Sequence, residues 1–220
     1  MTHSELYNKI TSLPLLQGIS AEHILQMRER GALRIVSMEP EEGNVIHAGQ
    51  RCNTLNMLME GTLLCTTEGD GWVMTEELHA PAIIEEDALW SLSQKYTHTY
   101  TPKKEGKLLV VDRNHVTHIM MHNDIFRINL LTRMSTRIER LNTFIQVRQA
   151  ESIAHKIEHF AQSISYTASM PKHLSIKMTT LAQIIGETRL RVSQTLHQMQ
   201  KEGILSLARE QITFHQFKQQ

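Results

Sequence analysis

Apolar and polar residues follow one another along this 220-residue chain in three successive rhythms. Residues 4–30 are predicted helical, with Leu6, Ile10, Ile24 and Met27 as apolar anchors and Pro14 as a break. From residue 32 to 112 short apolar runs alternate with glycine-rich or acidic turns: Glu41-Glu42-Gly43, Ala48-Gly49-Gln50, Glu60-Gly61 and Glu68-Gly69-Asp70-Gly71. The runs between them predict strands at 33–38, 44–47, 55–60, 63–67, 72–78, 98–100 and 107–112. Many short strands at this turn spacing indicate an antiparallel roll or barrel. Helical periodicity returns over 114–147, where Ile125, Ile128, Leu131, Met134, Ile138, Leu141 and Ile145 recur at steps of three and four. Asp124 stands near the start of that helix, and Arg133, Arg137 and Arg140 follow. One apolar seam on a helix this long faces another helix. It packs on its own domain or pairs with its copy about a two-fold axis; the second is the working expectation. A further helix is predicted over 151–164, then a loop over 165–172.

The most informative pattern lies at 178–202. Leu181, Ile184 and Ile185 give a first short helix its apolar face. Gly186 takes the positive φ that ends a helix without strain, and the Thr188 hydroxyl caps the next one. Val192, Leu196 and Met199 follow at i, i+4 and i+7, a single buried stripe on the second helix. The opposite side carries Arg191, Gln194, Gln198 and Lys201. Gly203 closes the unit, and 204–207 with 211–214 form a small hairpin, so the whole reads as a winged helix. A helix that packs on one side and offers Arg and Gln on the other suits a DNA major groove.

Charge sharpens this reading. The formal net charge is zero, yet residues 171–220 hold seven Lys and Arg against three acids, whereas residues 39–90 hold eleven acids and one base, Arg51. A basic tail attracts phosphates and an acidic body does not. The two cysteines, Cys52 and Cys65, form no CxxC pair, so neither a zinc knuckle nor a cysteine-ligated iron–sulfur cluster is expected within one chain. They read as small buried thiols, with redox sensitivity as the alternative. The apolar runs are far short of a membrane span and the first residues lack a basic-then-apolar signal, so no membrane partner and a cytoplasmic location are expected.

The order helix, turn-rich roll, long seamed helix and winged helix resembles the Crp/Fnr family of bacterial transcription regulators over nearly the whole chain. The resemblance is carried by Leu181-Ala182, Gly186, Thr188-Arg189, Val192-Ser193, Leu196 and Glu202-Gly203-Ile204-Leu205. In the roll, Glu41-Glu42-Gly43, Ala48-Gly49 and Leu58-Met59-Glu60-Gly61-Thr62-Leu63 look like the family's glycine turns and central strands. The implied fold is α+β. An N-terminal antiparallel β-roll (a double-stranded β-helix, cyclic-nucleotide-binding-like) spans 1–120. A long dimerisation helix spans 121–148, and a C-terminal winged helix-turn-helix spans 149–220.

The family's nucleotide-binding members carry a phosphate-binding cassette, and the corresponding stretch here departs from it. It reads Ala80-Pro81-Ala82-Ile83-Ile84-Glu85-Glu86-Asp87-Ala88-Leu89, then Tyr96-Thr97-His98. Glu86 matches the acid that bonds the ribose. Glu85 replaces the cassette glycine and Tyr96 the phosphate-binding Arg. A carboxylate near a phosphate repels it by several kcal/mol at low dielectric, and the lost Arg removes a bidentate contact. Cyclic AMP is therefore not expected to bind. Glu85, Glu86, Tyr96 and Thr97 mark the expected effector pocket, and the effector is unknown. Haem sensing occurs in the family, which makes haem a candidate cofactor with His47, His79, His98 or Met57 as axial ligands. The spacings His115/His118/His122 and His155/His159 are compatible with zinc, but no carboxylate completes a motif, and no metal site is expected.

For DNA, the resemblance places Arg189, Leu190 and Gln194 at the base-reading positions. Arg189 suits guanine, Gln194 adenine and Leu190 a thymine methyl. Thr179, Thr188, Arg191, Ser193 and Lys201 complete the expected contact set, chiefly on phosphate. Lys177 stands where the family often has a capping Thr. The expected function is a homodimeric transcription regulator on a palindromic operator in double-stranded DNA, with RNA polymerase and an unknown small-molecule effector as candidate partners. The alternative is a small-molecule, haem or redox signalling module whose winged helix serves protein contact. No catalytic constellation is identifiable, so an enzyme is not expected.

Overall fold

The computed structural model of the chain describes residues 3–29, 31–43, 45–146 and 152–217. It forms two compact units. The first comprises Met1–Leu63 and Leu78–Arg137, the second Leu64–Glu77 and Ile138–Gln220. The division is not a single cut in the sequence, because a stretch inside the predicted roll groups with the C-terminal unit.

In the first unit, α1 (His3–Thr11) and α2 (Ala21–Glu29) are joined by a buried linker containing Leu13, Leu15, Leu16 and Ile19. The roll follows: β1 (Arg34–Met38), the first part of β2 (Thr54–Gly69), the end of β3 (Trp72–His79), β4 (Ala82–Ile84) and β5 (Thr99–Asp112). β1 pairs antiparallel with β5, Arg34 opposite Val110 and Met38 opposite Gly106. β4 pairs antiparallel with β2, Asn56 opposite Ile84. Leu55, Met57, Leu58, Leu89, Tyr100, Leu109 and Val111 fill the interior.

Several elements differ from the sequence reading. The strands predicted at 55–60 and 63–67 are one strand, and so are those at 98–100 and 107–112. The expected turn at Gly61 is absent because β2 passes through it in close contact with β5. A Cβ on Gly61 would lie 2.6 Å from the Glu105 carbonyl oxygen, and one on Gly106 2.1 Å from that of Glu60. The two glycines permit a backbone approach, not a reversal. Of the strand expected at 44–47, only an isolated bridge between Ile46 and Tyr100 forms, and Asn44 lies outside the described residues. The helix predicted over 114–147 is two, α3 (Arg113–His122) and α4 (Asp124–Gln146). Asn123 between them is extended, and its Oδ1 accepts the Phe126 N–H at 2.9 Å, capping α4. Arg30, Val147, Glu151 and Lys218 lie outside the described residues, as do the side chains of Arg140 and Ile145.

The second unit contains α5 (Ile153–Ser163), β6 (Lys172–Ile176), α6 (Met178–Ile185), α7 (Arg189–Lys201), β7 (Leu205–Ala208) and β8 (Gln211–Phe214). β7 and β8 are the wing hairpin, Ala208 opposite Gln211. β6 was not expected. Its inward positions are Lys172, Leu174 and Ile176, so a lysine interrupts the alternation that signals a strand. β6 pairs antiparallel with β8 on one side and with β3 on the other, Trp72 opposite Ile176 and Thr75 opposite His173. Residues 72–77, expected in the roll, are thus an added strand of the winged-helix sheet. Met74, Ile157, Leu174, Leu181, Val192, Leu196, Met199 and Phe214 form the core beneath it, and Trp72 meets Phe160 edge-on at 5.8 Å.

Candidate nucleic-acid interface

The two helices of the motif form as their local sequence dictates. α6 ends at Gly186, whose φ is +68°, and the Glu187 N–H bonds the Ala182 carbonyl at 2.9 Å. α7 begins at Thr188, whose hydroxyl accepts the Arg191 N–H at 3.4 Å. Val192, Leu196 and Met199 are buried at 0–2% exposure. That fixes the rotation of α7 and turns the expected reading residues outward. Arg189, Leu190, Arg191, Gln194 and Lys201 are exposed, as are Thr179 on α6 and Thr188, whereas Ser193 is half-buried.

The polar face is organised by one acid. Glu187 accepts from Lys156 at 2.6 Å and from Arg191 at 2.8 Å, and Lys156 holds its carboxyl below the usual range. Arg191 is therefore steered by Glu187, while Arg189 makes no ion pair among the described residues. A cavity of about 510 Å³ opens between the start of α6, α7 and the wing, lined in part by Lys177, Thr179, Arg189, His197 and Gln211. Sequence reasoning passed over His197 and the exposed Arg209 at the wing turn. Arg209 was legible as a cation at the tip of a recognised hairpin.

In the roll, Glu85 lies 2% exposed in left-handed backbone, φ 39°. Its Oε2 accepts the Thr97 N–H at 2.7 Å and the Thr97 hydroxyl at 2.8 Å. Its Oε1 accepts the His98 N–H at 3.0 Å, His98 Nδ1–H at 2.9 Å and the Tyr100 hydroxyl at 3.1 Å. Burial pushes the Glu85 carboxyl up, but the His98 and Thr97 hydrogen bonds outweigh it and hold it below the ordinary value. Tyr96 points its hydroxyl elsewhere. It accepts from Asn56 at 2.7 Å and donates to the Thr54 carbonyl at 3.2 Å, and burial raises its pKa. Of the four expected pocket residues, Glu85 and Thr97 are bonded together, Tyr96 is bonded to β2, and Glu86 reaches α4 through Arg133 Nε at 2.7 Å. Asp87 does the same with Arg137 at 2.8 Å.

The other candidate residues are scattered. Met57 is fully buried, His79 bonds Thr62 at 3.2 Å, and Cys52 and Cys65 are buried free thiols. Burial raises the Cys52 pKa, and its thiol donates to the Thr54 carbonyl at 3.5 Å. His23, His115, His118 and His122 share the lining of a second cavity of about 260 Å³. Among the described residues, no group of three or more His, Cys, Asp or Glu is placed to hold a metal ion. No described helix is long and apolar enough to cross a membrane.

No family model and no curated protein sequence matches the chain. Solved structures do match. The Thermus thermophilus catabolite activator protein is 16% identical, covering 92% of this chain and 93% of its own, with a TM-score of 0.53. A Eubacterium rectale protein described as a Crp/Fnr-family transcriptional regulator is 19% identical, covering 93% and 94%, with a TM-score of 0.53. The c-di-GMP-responsive global regulator CLP of Xanthomonas campestris is 13% identical, covering 88% and 100%, with a TM-score of 0.50. Identities this low speak to architecture: the chain has the fold of the Crp/Fnr transcription regulators.

Proposed function

We propose that the chain is a homodimeric, sequence-specific, DNA-binding transcription regulator of the Crp/Fnr type, and not an enzyme. The observation that carries this reading is the orientation of α7. Its apolar stripe is sealed into the winged-helix core, Arg189 and Gln194 are exposed, and Arg189 lines a concavity. Arg189 is assigned to guanine O6 and N7, a bidentate contact worth about 1–3 kcal/mol of discrimination. Gln194 is assigned to adenine. Lys201, Thr179, Thr188, Ser193 and Arg191 are assigned to the backbone, and Leu190, 69% exposed, to an apolar base contact.

Dimerisation is assigned to α4. Phe126 and Leu130 are buried on one side, whereas Ile128, Leu131, Ile138 and Leu141 remain 52–65% exposed on another. An apolar stripe left open along a helix of 23 residues suits its own two-fold copy. Two α7 helices would then meet half-sites about 34 Å apart on a palindromic operator.

The roll is assigned no cyclic AMP response, because a buried carboxylate whose oxygens already accept from Thr97 and His98 stands in the cassette. Selection of bound duplexes from a random pool, followed by gel shift, tests the central reading. A two-fold symmetric consensus is expected, and no enrichment over random sequence would refute it. Calorimetric titration with cyclic AMP tests the last: micromolar binding would overturn it.

A further inference from the structure

Glu85 is buried by choice of neighbours that do not belong to its own segment. Its donors are two consecutive backbone N–H groups, two hydroxyls and one imidazole, all from residues 97–100. Converging main-chain and hydroxyl donors of this kind are what a protein uses to bind an anion. The segment that carries them is anchored at both ends independently of Glu85. Tyr96 and Tyr100 exchange main-chain bonds with Gly49, Gln50 and Ile46. The anion is supplied at a conformational cost. Glu85 sits in left-handed backbone that residues with a Cβ adopt rarely. The two acids that follow it tie the same segment to α4, through Glu86–Arg133 and Asp87–Arg137.

We propose that residues 97–100 form an anion receptor, that Glu85 fills it as a tethered internal ligand, and that this fixes the 85–87 segment on α4 without a diffusible effector. The receptor's ligand class is a small carboxylate or phosphate. A free anion of either kind competes only when Glu85 is withdrawn. The receptor itself is independent of the DNA reading above; only the step from α4 to operator binding rests on it.

The test is rescue of Glu85→Gly, a substitution that removes the carboxylate and relaxes the backbone at once. Thermal melts are recorded in acetate, in inorganic phosphate and in chloride at equal ionic strength. The variant is expected to melt below the native protein and to gain stability saturably with acetate or phosphate. The native protein gains nothing, and adding Tyr100→Phe and Thr97→Val to the variant removes the gain. Rescue by acetate alone or phosphate alone supports the receptor and sorts its ligand. Should Glu85→Gly not fold, Glu85→Asn, which tolerates left-handed backbone, is tested in the same way. Absence of saturable rescue in both variants, or an equal gain by the native protein, overturns the proposal. Gel shift without added ligand then reads the link to α4. Native binding, lost in the variant and restored by the rescuing anion, supports it; binding unchanged in the anion-free variant overturns it. Rescued melting with no DNA binding by the native protein would instead sink the DNA reading and leave the receptor standing.

Discussion

Lys172 and Glu76 form an ion pair across β6 and β3, 96 residues apart in sequence and only 2% and 0% exposed. Neither charge is left to the other alone. Glu76 also accepts the Tyr166 N–H at 2.7 Å, the Thr167 N–H at 3.0 Å and the Thr167 hydroxyl at 2.8 Å, and Lys172 donates to the Thr167 carbonyl at 2.8 Å. The loop before β6 is thereby built around a carboxylate from a distant strand, a partner that its own sequence does not announce.

Removing one partner strands the other charge in the interior. Lys172→Met is expected to destabilise the C-terminal unit by about 3–5 kcal/mol. The double variant Glu76→Gln/Lys172→Met is expected to recover part of the loss, because the amide oxygen still accepts the loop N–H groups. Denaturant melts followed by the fluorescence of Trp72, packed on Phe160, measure both. A cost below about 1 kcal/mol for the single variant would contradict the argument.

Arg189 and Lys201 should separate two kinds of DNA contact. Arg189→Ala is expected to lose about 1–3 kcal/mol on the selected operator and to relax preference at one base pair. Lys201→Ala is expected to weaken specific and random duplexes alike and to lower the salt slope by about 1. Fluorescence anisotropy over a salt series distinguishes them, and equal losses on both duplexes for Arg189→Ala would remove it from base reading.

The open stripe of α4 carries a prediction about assembly. Leu131 is 65% exposed in the single chain. Leu131→Glu is expected to cost roughly 3–6 kcal/mol per dimer, counting one leucine from each copy. The native protein should sediment as a dimer and the variant as a monomer. A native monomer would end the dimer assignment.

Glu85 gives a pH dependence whose sign follows from its lowered pKa. In the unfolded chain the group titrates near about 4.3, so its stabilising effect is complete above that pH. The effect is lost as the pH falls through the lower folded value. Acid unfolding of Glu85→Gln should therefore show a shallower pH dependence below about pH 4.3 than the native protein. Parallel curves would show that the carboxylate does not drive it.

The winged helix was readable because its signals are local. Gly186, Thr188 and the Val192–Leu196–Met199 stripe each act within one or two turns of helix, and each stands in the role its sequence position suggests. The roll was readable only in outline. Glycine marks both a turn and a close approach of two strands, and Gly61 and Gly106 are the latter. β6 was invisible because its buried lysine is acceptable only beside Glu76, a partner that no nearby sequence announces.

The periodicity of the chain by itself determined that a roll, a long helix with an apolar seam and a two-helix motif with a wing would form, since helix caps and hydrophobic stripes act between residues a few positions apart. Tertiary structure alone decided that residues 64–77 join the C-terminal unit and that the Glu85 carboxylate is received by residues 97–100. Both depend on the burial of charge. A buried charge is stable only where the fold supplies its partners, and those partners come from far along the chain.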